Sequence, residues 1–120
     1  MRRTGPTNII LRKTIRLLRK YSRQYKAPIW RYVAELLSRP TRRRVAVNVS
    51  KINRYTKEGE VVVVPGKVLG AGEIKHPVTV AAIAFSESAA LKIKSAGGRV
   101  IHILDLVKEN PRGSGVRIII

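Results

Sequence analysis

Residues 60–72 read Glu-Val-Val-Val-Val-Pro-Gly-Lys-Val-Leu-Gly-Ala-Gly, the strongest strand signal in the chain. The valines from Val61 to Val64 form the most β-prone run in the chain. Their branched side chains are stiff and suit a pleated, buried surface. An unbroken apolar run of this kind predicts a strand covered on both faces. Pro65 ends its ladder pairing and Gly66 permits a turn, which places Lys67 at that turn. Val68 and Leu69 re-enter the core, and Gly70 and Gly72 allow a second bend with positive φ.

Charge divides the chain at this point. Its 120 residues carry a formal net charge of +18, enough to imply a polyanionic partner. Residues 1–57 hold 17 Lys and Arg against a single acid, Glu35, whereas residues 58–120 hold 8 against 6. Basicity serving solubility alone would be spread evenly. The first half therefore reads as a binding surface and the second as a scaffold. The length suits one modest core. There is no cysteine, hence no disulfide and no thiolate metal site. No apolar run approaches transmembrane length, and charges interrupt the basic N-terminus too often for a signal peptide.

Upstream, residues 1–7 predict a basic arm with Arg2 and Arg3, broken at Gly5-Pro6, and Thr7 or Asn8 can cap a helix. Residues 8–26 have helical periodicity. Leu11, Ile15, Leu18 and Tyr25 share one face, which Ile10, Leu17 and Tyr21 widen. Arg12, Arg16, Arg19, Arg23 and Lys26 recur on the other, flanked by Lys13 and Lys20. With no acid to form an ion pair one turn away, these cations destabilise an isolated helix, and an external anion relieves the cost. Pro28 suits the first turn of a second helix that ends before Pro40. Ile29, Trp30, Val33, Leu36 and Leu37 form its apolar side, with Trp30 a core anchor rather than a stacking platform. Residues 39–44 include Arg39, Arg42, Arg43 and Arg44, forks that match phosphate oxygens.

A short strand follows through Val45, Val47 and Val49. A brief helix over residues 51–55 then buries Ile52 and Tyr55 and turns Lys51 and Arg54 outward. After the central strand, Val78 to Ala84 predict one further buried strand. Ser86 caps a helix running to about Ala96, with Ala89, Ala90, Ile93 and Ala96 inward, and Gly97-Gly98 closes it with a left-handed cap. Val100, Ile101, Ile103 and Leu104 predict a final strand, followed by a turn of helix at Leu106 and Val107. The closing isoleucines dock on the core, pair as an edge strand or enter a partner. The expected architecture is a compact single α/β domain behind a basic amphipathic helical segment. Residues 1–44 form that segment and residues 45–120 the core, as one structural unit.

Catalytic patterns fail on spacing. A Walker loop requires two glycines flanking four residues before Lys and Ser or Thr, and Gly66-Lys67 does not comply. Gly70 and Gly72 lack the third glycine of a dinucleotide fingerprint. Ser86, His102 and Asp105 name the parts of a hydrolytic triad without a nucleophile elbow. His76 and His102 are the only histidines and, without cysteine, do not compose a metal site. The reading is of a non-enzyme with no catalytic residue, metal or cofactor.

Three stretches carry a family likeness. They are Asn-Val-Ser-Lys-Ile-Asn-Arg-Tyr at 48–55, Val-Val-Pro-Gly-Lys-Val-Leu-Gly-Ala-Gly at 63–72, and Phe85-Ser86 with its alanine-rich helix into Ala96-Gly97-Gly98. Asn-Pro-Arg-Gly-Ser-Gly at 110–115 adds a fourth. Together they resemble the large-subunit ribosomal protein family L-eighteen-e, whose bacterial relative is L-fifteen. The resemblance implies an irregular β-β-α superhelical α/β fold and a cytoplasmic, structural role on large-subunit ribosomal RNA beside other large-subunit proteins. It implies no small-molecule substrate and no membrane. The chain lacks the long basic C-terminal extension of eukaryotic members and so resembles the archaeal form. It also lacks the Gly- and Arg-rich arm of the bacterial relative. The basic helix and Arg42, Arg43 and Arg44 are therefore expected to reach the RNA instead. On this reading Arg12, Lys13, Arg16, Arg19, Lys20, Arg23 and Lys26 contact phosphates along the helix. Arg2, Arg3, Arg42, Arg43 and Arg44 enter RNA grooves or crevices, Arg39 belongs to the same RNA-binding set, and Lys51, Arg54 and Lys67 extend the surface. A DNA-compacting protein and a membrane-surface module are the rival classes that the charge also allows.

Overall fold

A computed structural model describes residues 9–40 and 45–120. The arm with Arg2 and Arg3, the capping positions Thr7 and Asn8, and the cluster Arg42, Arg43 and Arg44 lie outside the described residues. In chain order the elements are α1 (Ile9–Tyr25), α2 (Pro28–Leu37), β1 (Val45–Asn48), α3 (Val49–Tyr55), β2 (Val61–Val63) and β3 (Gly66–Leu69). They continue with β4 (Thr79–Ala82), β5 (Ala84–Phe85), α4 (Glu87–Ser95), β6 (Arg99–His102), α5 (Ile103–Glu109) and β7 (Val116–Ile118).

The strands form two sheets in which every pairing is parallel, one ordered β1-β3-β5 and the other β6-β4-β2-β7. The chain passes between the sheets twice, side by side. It leaves β2 through Pro65 to enter β3, and leaves β4 through Ile83 to enter β5. Hydrogen bonds hold the two passages together, from Val64 N to Ala81 O at 2.8 Å and from Ile83 N to Gly66 O at 3.0 Å. Strand, strand, helix then winds on through β4, β5 and α4, the superhelical α/β pattern the resemblance implies.

The valine run works by alternation along a strand. Val63 enters one apolar cluster with Leu11, Ile15, Leu18, Trp30, Leu37 and Ile103. Val62 and Val64 enter the other with Val47, Ile52, Val68, Val80 and Ile93. The sheet holding β2 is thus covered by α1, α2 and α5 on one face and by α3, α4 and β3 on the other. The first cluster joins the N-terminal helices directly to the sheet.

Several expectations change at this level. Lys67 lies within β3, exposed between buried Gly66 and Val68, not at a turn. Gly66 is required for contact rather than for turning, since a Cβ there would sit 2.0 Å from the Val45 carbonyl oxygen. Val78 to Ala84 make two strands because the chain changes sheets at Ile83. Ile103 and Leu104 begin α5 instead of extending β6, because the His102 Nδ1 accepts from Leu104 N at 3.1 Å and caps a helix there. The last strand is β7, in which Val116 pairs with Val61 and Ile118 with Val63, and Ile119 beyond it is buried. Val49 belongs to α3, not to β1. Ile10 is 72% exposed, since the first turn of α1 overhangs the core and burial starts at Leu11. Tyr55, expected inside, is 52% exposed at the last position of α3.

Other local signals act as read. The Ser86 Oγ accepts from Ala89 N at 3.2 Å. Gly97 has φ +90 and its N–H reaches the Lys94 carbonyl. Pro28 opens α2 and Ser38 closes it.

Candidate nucleic-acid interface

α1 presents two unlike faces because its apolar and cationic residues recur in step with the helical turn. Leu11, Thr14, Ile15 and Leu18 are buried, and Thr14 satisfies its hydroxyl on the Ile10 carbonyl at 2.9 Å. Arg12, Lys13, Arg16, Arg19, Lys20, Arg23 and Lys26 are all exposed. The helix contains no acid, and ion pairs among the described residues form elsewhere. They join Arg31 to Glu35, Arg99 to Glu109 and Arg117 to Glu60. Among the described residues, none of these ion pairs joins Lys13, Arg16, Arg19, Lys20, Arg23 or Lys26 to a carboxylate.

α1 ends in an unusual way. Lys26 adopts φ +52, the left-handed conformation that glycine normally supplies after a helix. The N–H of Ala27 closes the turn on the Ser22 carbonyl at 3.0 Å. A cation thus continues the stripe at a position where the backbone favours glycine.

Neighbouring elements extend this face. The Arg19 guanidinium donates to the Ser38 hydroxyl at 3.4 Å, which sets the end of α2, and exposed Arg39 after it, beside the middle of α1. Lys67 reaches the same region from β3. It lines a hollow of about 140 Å³ together with Leu11, Leu37, Val45, Gly66, Ile83 and Ala84.

Lys51 and Arg54 gather elsewhere, around a second hollow of about 270 Å³ lined by Lys51, Tyr55, Arg117 and the isoleucines 118–120. The Lys51 ammonium donates to the main-chain oxygen of Ile120 at 2.5 Å, and the Arg54 guanidinium lies over the Tyr55 ring, 5.9 Å from its centre. Tyr55, expected in the core, and Arg117, which the sequence reading did not single out, are neighbours here. Strand alternation carried the signal for Arg117, since Val116 and Ile118 face inward and the residue between them must face out.

The remaining sequence motifs do structural work. Asn48 Oδ1 accepts from Ala71 N at 3.2 Å, and Asn53 Oδ1 accepts from Lys75 N at 2.9 Å. The Lys92 ammonium donates to the carbonyls of Gly70 and Gly72 at 2.6 and 2.7 Å. A Cβ at Gly70 would lie 1.9 Å from Ser88 Oγ, and one at Gly72 would lie 2.4 Å from the Ser50 Cβ. The motifs at 48–55 and 63–72 therefore touch; Gly72 is set by that approach, and Gly70 by the approach of Ser88 in α4. The fragments of a triad are likewise occupied: Ser86 caps α4, His102 caps α5, and Asp105 lies in the first turn of α5, where the helix dipole favours an acid. Thr56 Oγ1 stands 2.8 Å from His76 Nε2. Among the described residues no helix is long and apolar enough to cross a membrane, and no acidic or histidine group could hold a metal.

Comparison with known proteins bears on this arrangement. The family described as "Ribosomal proteins 50S-L15, 50S-L18e, 60S-L27A" matches residues 33–101. A "Large ribosomal subunit protein eL18" of Pyrobaculum aerophilum is 55% identical over 117 residues, covering 98% of this chain and 96% of its own. The protein of that name in Methanopyrus kandleri is 53% identical over 121 residues, covering 97% and 95%. The one in Archaeoglobus fulgidus is 52% identical over 120 residues and covers both chains completely. These archaeal relatives are structural ribosomal proteins rather than enzymes. With such identity along nearly its whole length, the chain belongs to the large-subunit ribosomal protein family of L15, L18e and L27A.

Proposed function

We propose that this protein binds folded large-subunit ribosomal RNA and stabilises its packing, with residues 1–44 as the main contacting segment on an α/β core of residues 45–120. The observation that carries the reading is the face of α1. Arg12, Lys13, Arg16, Arg19, Lys20, Arg23 and Lys26 are exposed along one helix that contains no acid. Phosphates neutralise such a face, release counterions and remove the repulsion within it. Arg39 and Lys67 extend it. Arg2, Arg3, Arg42, Arg43 and Arg44 are assigned to RNA contact on charge and sequence alone. Readout is mainly of shape and backbone, as is usual for paired RNA. Neighbouring large-subunit proteins are the other expected partners.

Affinity for a structured ribosomal RNA fragment, compared with duplex DNA of equal length, tests this reading. Tighter binding to the RNA is expected. Equal affinities would favour a general polyanion binder. Binding to anionic vesicles at physiological salt would favour the membrane-surface alternative.

A further inference from the structure

We propose that Tyr55 stacks against one unpaired base of the RNA, at the hollow formed by α3 and the residues of and after β7. The inference rests on the rRNA-binding reading above and adds to it a site, a ligand class and a contact that charge alone does not supply.

Tyr55 is the C-terminal residue of α3 and is 52% exposed. Ile52 on the same helix is fully buried and supplies its core contact, while the Tyr55 side chain stays at the surface. The Arg54 guanidinium lies over one face of the ring, 5.9 Å from its centre, and the residue as a whole stays 52% exposed. Beside it is a hollow of about 270 Å³ with buried Ile119 among its lining and half-exposed Ile120 at its edge. Ordinary ligand pockets measure roughly 300–1,000 Å³, so this one suits a single flat ring rather than a large ligand.

The rim selects the occupant. Lys51 and Arg117 line the hollow and Arg54 adjoins it. Glu60, which pairs with Arg117 at 3.1 Å, is also held by the Lys57 N–H at 2.6 Å. The Lys51 ammonium, which carries three donors, gives one of them to the main-chain oxygen of Ile120. An aromatic ring over an apolar floor, among cations, is what a nucleotide requires. The base stacks, and the adjoining phosphates meet Lys51 and Arg54. An apolar protein side chain would use the floor but not the cations.

The experiment uses the full chain and an archaeal large-subunit rRNA transcript as probe. Tyr55→Ala, Tyr55→Leu and Tyr55→Phe are compared for affinity and for base protection in chemical footprinting. The exposed position allows all three to fold, which thermal unfolding checks. Tyr55→Ala and Tyr55→Leu should each bind about 5- to 150-fold more weakly. They should lose protection of one unpaired base while backbone protections persist, and Tyr55→Phe should behave as wild type. Wild-type binding by Tyr55→Ala with all base protections intact would overturn the stacking site alone. Loss in Tyr55→Ala but not in Tyr55→Leu would replace it with a pocket for an apolar group. Failure of the wild-type chain to prefer the rRNA over duplex DNA would overturn the underlying reading, and the site with it.

Discussion

Trp30 and Pro111 stand 81 positions apart in sequence and are joined by a 2.6 Å hydrogen bond from the indole Nε1 to the Pro111 carbonyl. The indole is fully buried in α2, so a residue of the basic N-terminal half holds the turn that leads into β7. Gly113 completes the contact. It has φ +68 and passes so close to Ile29 that a Cβ would lie 2.6 Å from the Ile29 Cγ2. β7 then pairs with β2, so the helix pair, the turn and the central strand support one another.

Trp30→Phe should therefore remove the donor, strand the Pro111 carbonyl and leave a small void. The expected cost is about 2–3 kcal/mol, from an unsatisfied acceptor plus lost packing. Urea unfolding should show a lower midpoint with little change in slope.

Lys26 carries strain at the end of the cationic stripe, with φ +52 where glycine is at ease. Lys26→Gly should raise stability by about 1 kcal/mol, the approximate penalty for a left-handed side-chain residue. The same change should weaken RNA binding and lower its salt slope by about 0.7–0.9 if Lys26 meets a phosphate. Opposite signs in a melting experiment and a binding titration would identify a position where function overrides backbone preference.

Glu60 gives the fold an acid-sensitive link. The Lys57 backbone N–H, and then the Arg117 side chain, hold its carboxyl below the ordinary value of 4.5. A carboxylate with a depressed value in the folded state adds stability above 4.5 that is lost as pH falls below it. Glu60→Gln should therefore destabilise the protein most near neutral pH. Wild type and variant should converge in acid. A pH series of denaturation midpoints checks both points.

Much of this fold can be read in the sequence because local and tertiary signals agree. The valine run is apolar throughout because both faces of β2 are covered, and α1 declares its two faces by periodicity. Ser86 and Gly97 act as caps wherever the helix packs. The failures share a cause. Ile83 divides Val78 to Ala84 between two sheets, a change of partner that composition does not mark. His102 stops β6 by accepting the Leu104 N–H, which hydropathy cannot register. Tyr55 sits at a helix end, where periodicity no longer decides which way a side chain turns. Of the candidate interface, the α1 stripe was legible as chemistry. Its junction with Arg39 and Lys67, and the separate gathering of Lys51, Arg54 and Arg117, required the fold.

Contact between the α1 face and phosphates should show in the salt dependence of RNA affinity. Binding of the wild-type chain and of the Arg16→Gln, Arg19→Gln, Arg23→Gln triple variant to a structured large-subunit rRNA fragment should be titrated across a range of salt. These side chains are exposed and the one bond lost, from Arg19 to Ser38, is a long surface contact, so the fold should be retained, which thermal unfolding checks. The slope of log affinity against log salt should fall by roughly two, at about 0.7–0.9 for each phosphate contact removed. An unchanged slope would mean that this face is merely solvated and that the RNA is held elsewhere.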